Sequence, residues 1–131
     1  MRVLLDTSAY SLLLDGHAAM GYRIRTAAEI QLPLIVIGEL LCGYRKGTRL
    51  RENLEKLERF LAGPRVVQPE LTRETADRYS RIYETLRRKG RPIPTNDMWI
   101  AAHAMETGAE LLSFDRHFEL VDGLAWTHPG A

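Results

Sequence analysis

Cysteine is almost absent from this chain: Cys42 is the single cysteine among 131 residues. One cysteine excludes an intramolecular disulfide and a cysteine-rich zinc site. The sequence also lacks the apolar run of roughly 20 residues that a transmembrane helix requires, and it contains neither a P-loop nor a G-x-G-x-x-G motif. Asp6 interrupts the apolar amino terminus and no small-residue cleavage site follows, so no signal peptide is expected. We therefore expect a cytoplasmic protein, with Cys42 as a small core residue.

The chain also lacks a large net charge, since it contains 18 Lys and Arg and 17 Asp and Glu. Hydrophobic residues make up 45% and charged residues 27%, which together with the length favours a single globular domain over residues 1–131. The charge is nevertheless uneven: residues 73–91 carry seven basic and three acidic side chains, and residues 106–122 carry five acidic and one basic. Solvated surfaces explain this pattern, and so does a nuclease with a basic flank and an acidic pocket.

Glycine and proline divide the chain into short apolar runs that alternate with amphipathic segments. The predicted strands are residues 1–5, 32–37, 65–68, 110–114 and 124–127. The predicted helices are one capped by Thr7 or Ser8 that ends near residue 15, then residues 18–31, 38–45, 48–62 and 72–89, and one capped by Thr95 or Asn96 that ends at residue 107. This alternation predicts an α/β fold with a parallel sheet of four or five strands and helices on both faces. Ligands bind such sheets at the carboxyl ends of the strands.

Acidic residues stand at these predicted strand ends. Asp6, Glu39 and Asp115 each follow a predicted strand, and Asp97 lies in the first turn of its helix. Each alone has a structural explanation as a helix cap or as a partner of the helix dipole, although a charge at Glu39 between apolar residues is costly. Four carboxylates at one edge repel one another and favour a bound cation. Oxygen ligands without cysteine or clustered histidine suit Mg²⁺ or Mn²⁺.

The two histidines near these acids have simpler explanations. His103 lies six residues after Asp97, which places it on a different face of the same helix, so we interpret it as structural or interfacial. His117 follows Asp115 by two residues and is interpreted as a surface histidine rather than an RNA contact.

Four motifs occur in a characteristic order along nearly the whole chain. They are VLLDTSAYSLLL with Asp6, LPLIVIGELLCGYRKG with Glu39, and IPTNDMWIAAHAMETGAELLSFDRHF with Asp97 and Asp115. In this order and spacing they resemble the PIN-domain ribonucleases, and more narrowly the VapC-type toxins of toxin–antitoxin pairs. The resemblance implies the strand order 3-2-1-4-5 and an endoribonuclease that depends on Mg²⁺ or Mn²⁺. It also implies that Asp6, Glu39 and Asp97 ligate the cation, while Asp115 completes the cluster or orients water.

The same resemblance implies supporting residues and partners. The candidates for hydrogen bonds to the ligands are Thr7, Thr95 and Asn96, of which the last two serve equally well as helix caps. The uneven charge of residues 73–91, and not the resemblance, indicates the basic residues expected to bind the RNA backbone near the loop that leads to Asp97: Arg87, Arg88, Lys89 and Arg91. The implied protein partners are an antitoxin that covers the acidic groove and a second copy of the chain.

Two alternative functions remain open from the sequence. One is a PIN nuclease that processes RNA without an antitoxin. The other is a non-catalytic binding module that uses the acidic edge to hold basic residues of a partner.

Overall fold

The computed structural model describes residues 1–130 and contains strands that alternate with helices. The strands are β1 (Arg2–Leu5), β2 (Glu29–Gln31), β3 (Val66–Val67), β4 (Glu110–Leu112) and β5 (Trp126–Thr127). The helices are α1 (Thr7–Leu14), α2 (Ala18–Thr26), α3 (Leu34–Lys46), α4 (Leu50–Leu61), α5 (Arg73–Lys89) and α6 (Thr95–Thr107), with a short 3-10 helix at Arg116–Leu120. Within this described part, no helix has the length and apolarity to cross a membrane.

The five strands form one parallel sheet in the order β3-β2-β1-β4-β5. Strand β1 is central, with Val3 paired to Ile30 on one side and to Glu110 on the other. Val3, Leu4 and Leu5 are at most 1% exposed, so both faces of β1 are covered. A parallel strand buried on both faces is expected to be continuously apolar, as this one is. The predicted α/β fold and the strand order are confirmed.

The predicted strand over residues 32–37 is wrong. The second strand is Glu29–Gln31, and residues 34–37 begin α3, because Pro33 ends the strand and its carbonyl accepts the first helical hydrogen bond, from the Ile37 N–H at 3.0 Å. Val36 and Leu40, four residues apart, are buried, whereas Leu34 is 56% exposed. That is helical periodicity, which a short apolar run in a sequence does not distinguish from a buried strand.

Several further expectations differ from the structure. The predicted helix over residues 18–31 ends at Thr26, and residues 29–31 form β2. Asp6, and neither Thr7 nor Ser8, is the N-cap of α1. Cys42 is exposed on α3 and is not a core residue, since the helix turns this position away from the buried Val36 and Leu40. Helix α6 has Pro94 at its N-cap position and no side-chain cap, so neither Thr95 nor Asn96 caps it. His103 is buried on α6, in agreement with a structural role.

Candidate metal centre

The four predicted acids line one open cleft of about 530 Å³ at the carboxyl edge of the sheet. Asp6 follows β1, Glu39 lies on α3, Asp97 lies in the first turn of α6, and Asp115 precedes the 3-10 helix. Thr7, Ser8, Ser11 and Phe114 complete the lining. The lining residues of the described chain include no lysine and no arginine, so the cleft concentrates negative charge.

Asp6 is held rigidly at the base of this cleft. It is the N-cap of α1, and its Oδ1 accepts hydrogen bonds from the Ala9 N–H and the Ser8 hydroxyl, both at 2.9 Å. Its Oδ2 accepts a hydrogen bond from the Ser113 hydroxyl. Burial raises the pKa of Asp6 above 3.8, although these hydrogen bonds act in the opposite direction. Because each carboxylate oxygen offers two acceptor sites, Oδ2 retains one for a cation.

Ser113 connects Asp6 to the fourth acid. Its buried hydroxyl donates to Asp6 and accepts a hydrogen bond from the Asp115 N–H at 3.0 Å. Ser8 makes a similar connection, because its hydroxyl also accepts from the Phe114 N–H at 3.4 Å. The sequence analysis missed both roles. The sequence did contain a signal for Ser113, because this hydroxyl residue stands between the apolar end of β4 and Asp115.

Glu39 points from α3 toward the neighbouring helices. Its Oε1 accepts a hydrogen bond of 2.5 Å from the Thr7 hydroxyl, and its Oε2 accepts one of 3.3 Å from the Asn96 side-chain amide. Two of the three predicted supporting residues are therefore in place. Thr95 is exposed and makes no side-chain hydrogen bond within residues 1–130.

Asp97 experiences the charge of the other acids. Burial raises the pKa of Asp97 from 3.8 to about 6; the nearby charge of His117 opposes this rise, while Glu39 and Asp6 add to it. A carboxyl group that feels two neighbouring carboxylates is stabilised by any cation placed among them. The electrostatics of the cleft therefore suit a divalent cation.

His117 lies between two of the acids. Its Nε2 is 2.8 Å from Oδ2 of Asp97, and its Nδ1 is 2.9 Å from Oδ1 of Asp115. The contact to Asp97 is not aligned as a hydrogen bond. His117 is 23% exposed and contacts two of the acids that line the cleft, which corrects its interpretation as a surface histidine. The 3-10 helix turns it back toward α6, and its D-x-H spacing after Asp115 was the signal in the sequence.

One donor atom each from Asp97, Asp115 and His117 lies within 4.8 Å of the others. Together with the free acceptor site on Asp6 and the carboxylate of Glu39, this gives mostly oxygen donors with one imidazole nitrogen. Such a set fits a divalent cation, and carboxylate oxygens are the ligands that Mg²⁺ and Mn²⁺ prefer.

The predicted RNA-binding residues lie outside the lining of the cleft, at the end of α5 and just beyond it. Arg88 forms an ion pair with Glu84, and Lys89 contacts Asp122 at 2.7 Å. The two others, Arg87 and Arg91, are exposed and have no acidic partner in the part of the chain that the structure describes.

Known proteins resemble this chain in sequence and in structure. The PIN domain family matches residues 3–124. Ribonuclease VapC1 from Haemophilus influenzae (strain R2866) is 27% identical over 99 residues, which span 75% of this chain and 72% of that protein. The crystal structure of VapBC2 from Rickettsia felis, bound to a DNA fragment from their promoter, matches with a TM-score of 0.87 and 25% identity over 97% of this chain and 98% of that chain. The structure of VapBC-1 from nontypeable Haemophilus influenzae matches with a TM-score of 0.88 and 24% identity over 100% of both chains.

Proposed function

This chain belongs to the PIN domain family, and from that premise we propose that it is a metal-dependent endoribonuclease and the toxin of a toxin–antitoxin pair. The observation that carries the proposal is the convergence of four carboxylates on one cleft without a basic lining residue. Similarity to Ribonuclease VapC1 supports RNA as the substrate, and similarity to two VapBC structures supports an antitoxin partner.

The residues that would hold Mg²⁺ or Mn²⁺ are Asp6, Glu39, Asp97, Asp115 and His117. A bound divalent ion would lower the pKa of a water molecule and polarise a phosphoryl oxygen, so that the water attacks in line. The protein supplies the rigid positions of the ligands: Ser8 and Ser113 hold Asp6, while Thr7 and Asn96 hold Glu39. Fixed ligands need no reorganisation when charge develops during the reaction.

His117 lies at the outer side of the same cluster. It contacts both Asp97 and Asp115, so the two carboxylates orient its ring toward a cation held there. Arg87 and Arg91, which lack acidic partners in the described chain, are the members of the predicted basic set that remain available to the RNA backbone.

The remaining expectations belong to the same proposal. The antitoxin is expected to place an arginine among Asp6, Glu39 and Asp97, because the planar guanidinium matches carboxylate geometry. A homodimer, a cytoplasmic location and a single domain over residues 1–131 complete it.

The experiment that tests the proposal compares expression of the wild type with expression of Asp6→Asn, followed by sequencing of the cleaved RNA ends. Asparagine keeps the helix cap but removes the charge that holds a cation. We expect growth arrest and new RNA ends with the wild type only, and the same loss of both in Glu39→Gln and Asp97→Asn. We expect a milder effect of Asp115→Asn, whose side chain is 50% exposed.

The control is Glu70→Gln, which removes an exposed carboxylate outside the cleft. Identical RNA ends in wild type and Asp6→Asn, or full activity of the purified wild type in EDTA, would falsify the metal mechanism. Cleavage without growth arrest would identify an RNA-processing nuclease instead. Absence of both cleavage and calorimetric Mn²⁺ binding would identify a binding module.

A further inference from the structure

A second groove, of about 560 Å³, runs along α3 beside the acidic cleft. It meets the cleft at Glu39, which lines both. Asn96, which donates a hydrogen bond to Glu39, stands at the same junction. The groove is further lined by Leu34, Ile35, Gly38, Cys42, Gly43 and Lys46. The cleft and the groove therefore adjoin at Glu39.

Small residues keep this α3 groove open. A Cβ atom placed on Gly38 or Gly43 would meet no other atom within 4 Å. Leu34, one turn before Gly38 on α3, is 56% exposed and provides an apolar surface. Binding sites for flat organic groups combine such an apolar surface with a few polar groups. Here the polar groups are the amide of Asn96 at one end and the ammonium of Lys46 at the other.

Positive charge collects at the far end of the groove. Lys46 lies seven residues after Glu39, which is two helical turns less 20°, so both lie on one face of α3 about 10.5 Å apart along its axis. Residues 40–51 contain Arg45, Lys46, Arg49 and Arg51 and no acidic residue. All four are exposed, and none has an acidic partner within residues 1–130.

Helix electrostatics explain only part of this charge. Arg45 and Lys46 lie in the last turn of α3, where a positive charge complements the helix dipole. Arg49, however, is the N-cap residue of α4, and Arg51 lies in its first turn, where a positive charge is unfavourable. The charges of Arg49 and Arg51 therefore destabilise the amino terminus of α4. No acid on their own helix forms an ion pair with them, whereas Arg88 of α5 is paired with Glu84.

We propose that the bound RNA strand runs from the acidic cleft along α3. A nucleotide next to the cleavage site lies in the α3 groove, and the phosphate of this nucleotide contacts Lys46 and Arg49. The proposal rests on the nuclease function proposed above and assigns that function a binding path. The apolar wall contacts the base, Asn96 faces its polar edge, and the two cations neutralise the backbone. An unpaired cation cluster favours an RNA strand over an apolar protein segment in this groove.

The test uses a synthetic single-stranded RNA that copies the cleavage site found by sequencing the RNA ends. The steady-state rate of its cleavage is measured at several NaCl concentrations. We expect Lys46→Gln/Arg49→Gln to raise KM with kcat unchanged, and to reduce the slope of log(kcat/KM) against log[NaCl] by about 0.7, since each neutralised phosphate contributes about 0.7. Lys46→Arg/Arg49→Lys keeps both charges and is expected to keep the wild-type slope.

The matched control is Arg25→Gln/Arg73→Gln, which also removes two exposed and unpaired charges. Arg25 precedes the amino end of β2, and Arg73 begins α5 beside Thr72, which contacts Glu106 near the end of α6; both therefore lie at the edge of the sheet opposite the cleft. The control is expected to leave the salt slope unchanged. An equal slope in wild type and Lys46→Gln/Arg49→Gln, or an equal loss in the control, overturns the α3 path while cleavage itself upholds the nuclease.

A second variant, Gly38→Leu, fills the groove at a position where a side chain meets no neighbour. We expect it to raise KM and to change which nucleotide is preferred beside the cut. If Gly38→Leu weakens binding of the antitoxin and leaves RNA cleavage unchanged, the groove holds a protein segment and the proposal is overturned. If no RNA ends are found with the wild type, the proposed function itself fails.

Discussion

Replacing Asp97 with asparagine is expected to stabilise the metal-free protein at neutral pH. Burial raises the pKa of Asp97 from 3.8 to about 6, and the charges of Glu39 and Asp6 contribute to the rise against the opposing effect of His117. The side chain is only 18% exposed, so water does little to screen these effects. The folded protein therefore holds a carboxylate that would be more stable in the unfolded chain.

The sign of the pH dependence follows from this raised pKa. At about pH 3, well below the unfolded pKa of 3.8, the carboxyl group is protonated in both states and carries no penalty. As the pH rises through the folded pKa, stability is lost, and the loss amounts to about 3 kcal/mol. A first-turn carboxylate gains about 0.5–1 kcal/mol from the helix dipole, which asparagine gives up. We therefore expect Asp97→Asn to exceed the wild type by about 2 kcal/mol at about pH 7.5 and to equal it at about pH 3.

Urea unfolding followed by circular dichroism, in EDTA at both pH values, measures this difference. Glu70→Gln is the control, because Glu70 is exposed and has no ion-pair partner among the described residues. Equal free energies of unfolding for wild type and Asp97→Asn at about pH 7.5, or the same gain at both pH values, would refute the reasoning. Added Mn²⁺ is expected to close the gap, because it binds the folded wild type and stabilises it by mass action.

The other predictions concern single side chains of the site and its surroundings. Asp6→Ala is expected to be about 1 kcal/mol less stable than Asp6→Asn, because only asparagine keeps the α1 cap; equal stability in urea would contradict the capping role. His117→Gln is expected to weaken Ni²⁺ binding about tenfold and Mg²⁺ binding little, because imidazole is a preferred ligand of Ni²⁺; calorimetry that shows equal losses would exclude direct ligation. Rising Mn²⁺ is expected to weaken antitoxin affinity through competition for the acids, and an unchanged affinity while Mn²⁺ binds would place the partner elsewhere. Arg87→Gln is expected to lower the salt slope of RNA binding by about 0.7, and Arg88→Gln is not, because Arg88 is paired with Glu84; equal slopes in the two variants would contradict this difference.

The sheet and its functional edge could be predicted because the strands carry simple patterns. Strand β1 is apolar at each buried position and is followed at once by an acid; β4 is also apolar at its buried positions and ends three residues before Asp115. Parallel strands end at the same edge, so the acids that follow them meet. Asp6 and Asp115 were therefore placed correctly at the cleft by local reasoning alone.

Glu39 lies at the cleft, as predicted, but for a different structural reason. It was expected at the end of a strand, but it lies on α3 and meets Thr7 of α1 and Asn96 of α6 through hydrogen bonds. The apolar run before it does not reveal whether it forms a strand or a helix. Only the packing of three helices brings this carboxylate to the cleft.

The missed residues depend on contacts between distant parts of the chain. Ser113 and Asp6 are 107 residues apart in sequence, and no local pattern joins them. His117 follows Asp115 closely, but its contact with Asp97 requires the 3-10 helix and α6 to meet. Cys42 was misplaced because residue type alone favours burial, whereas the α3 surface around it is an open groove.

Asp6 is both a proposed cation ligand and the N-cap of α1, and this restricts which mutations can inactivate the protein without unfolding it. If the proposed nuclease arrests growth when it is released, alleles that disable it are expected to rise in frequency. Most exchanges at Asp6 also remove the cap of α1 and lower the stability of the fold by about 1 kcal/mol, whereas asparagine, serine and threonine can accept the hydrogen bond from the Ala9 N–H. Asp115 is half exposed, so exchanges there are expected to cost less stability. Inactive alleles that persist as folded protein, and so continue to occupy the proposed antitoxin, are therefore expected to carry capping residues at position 6 and a broader range of residues at position 115.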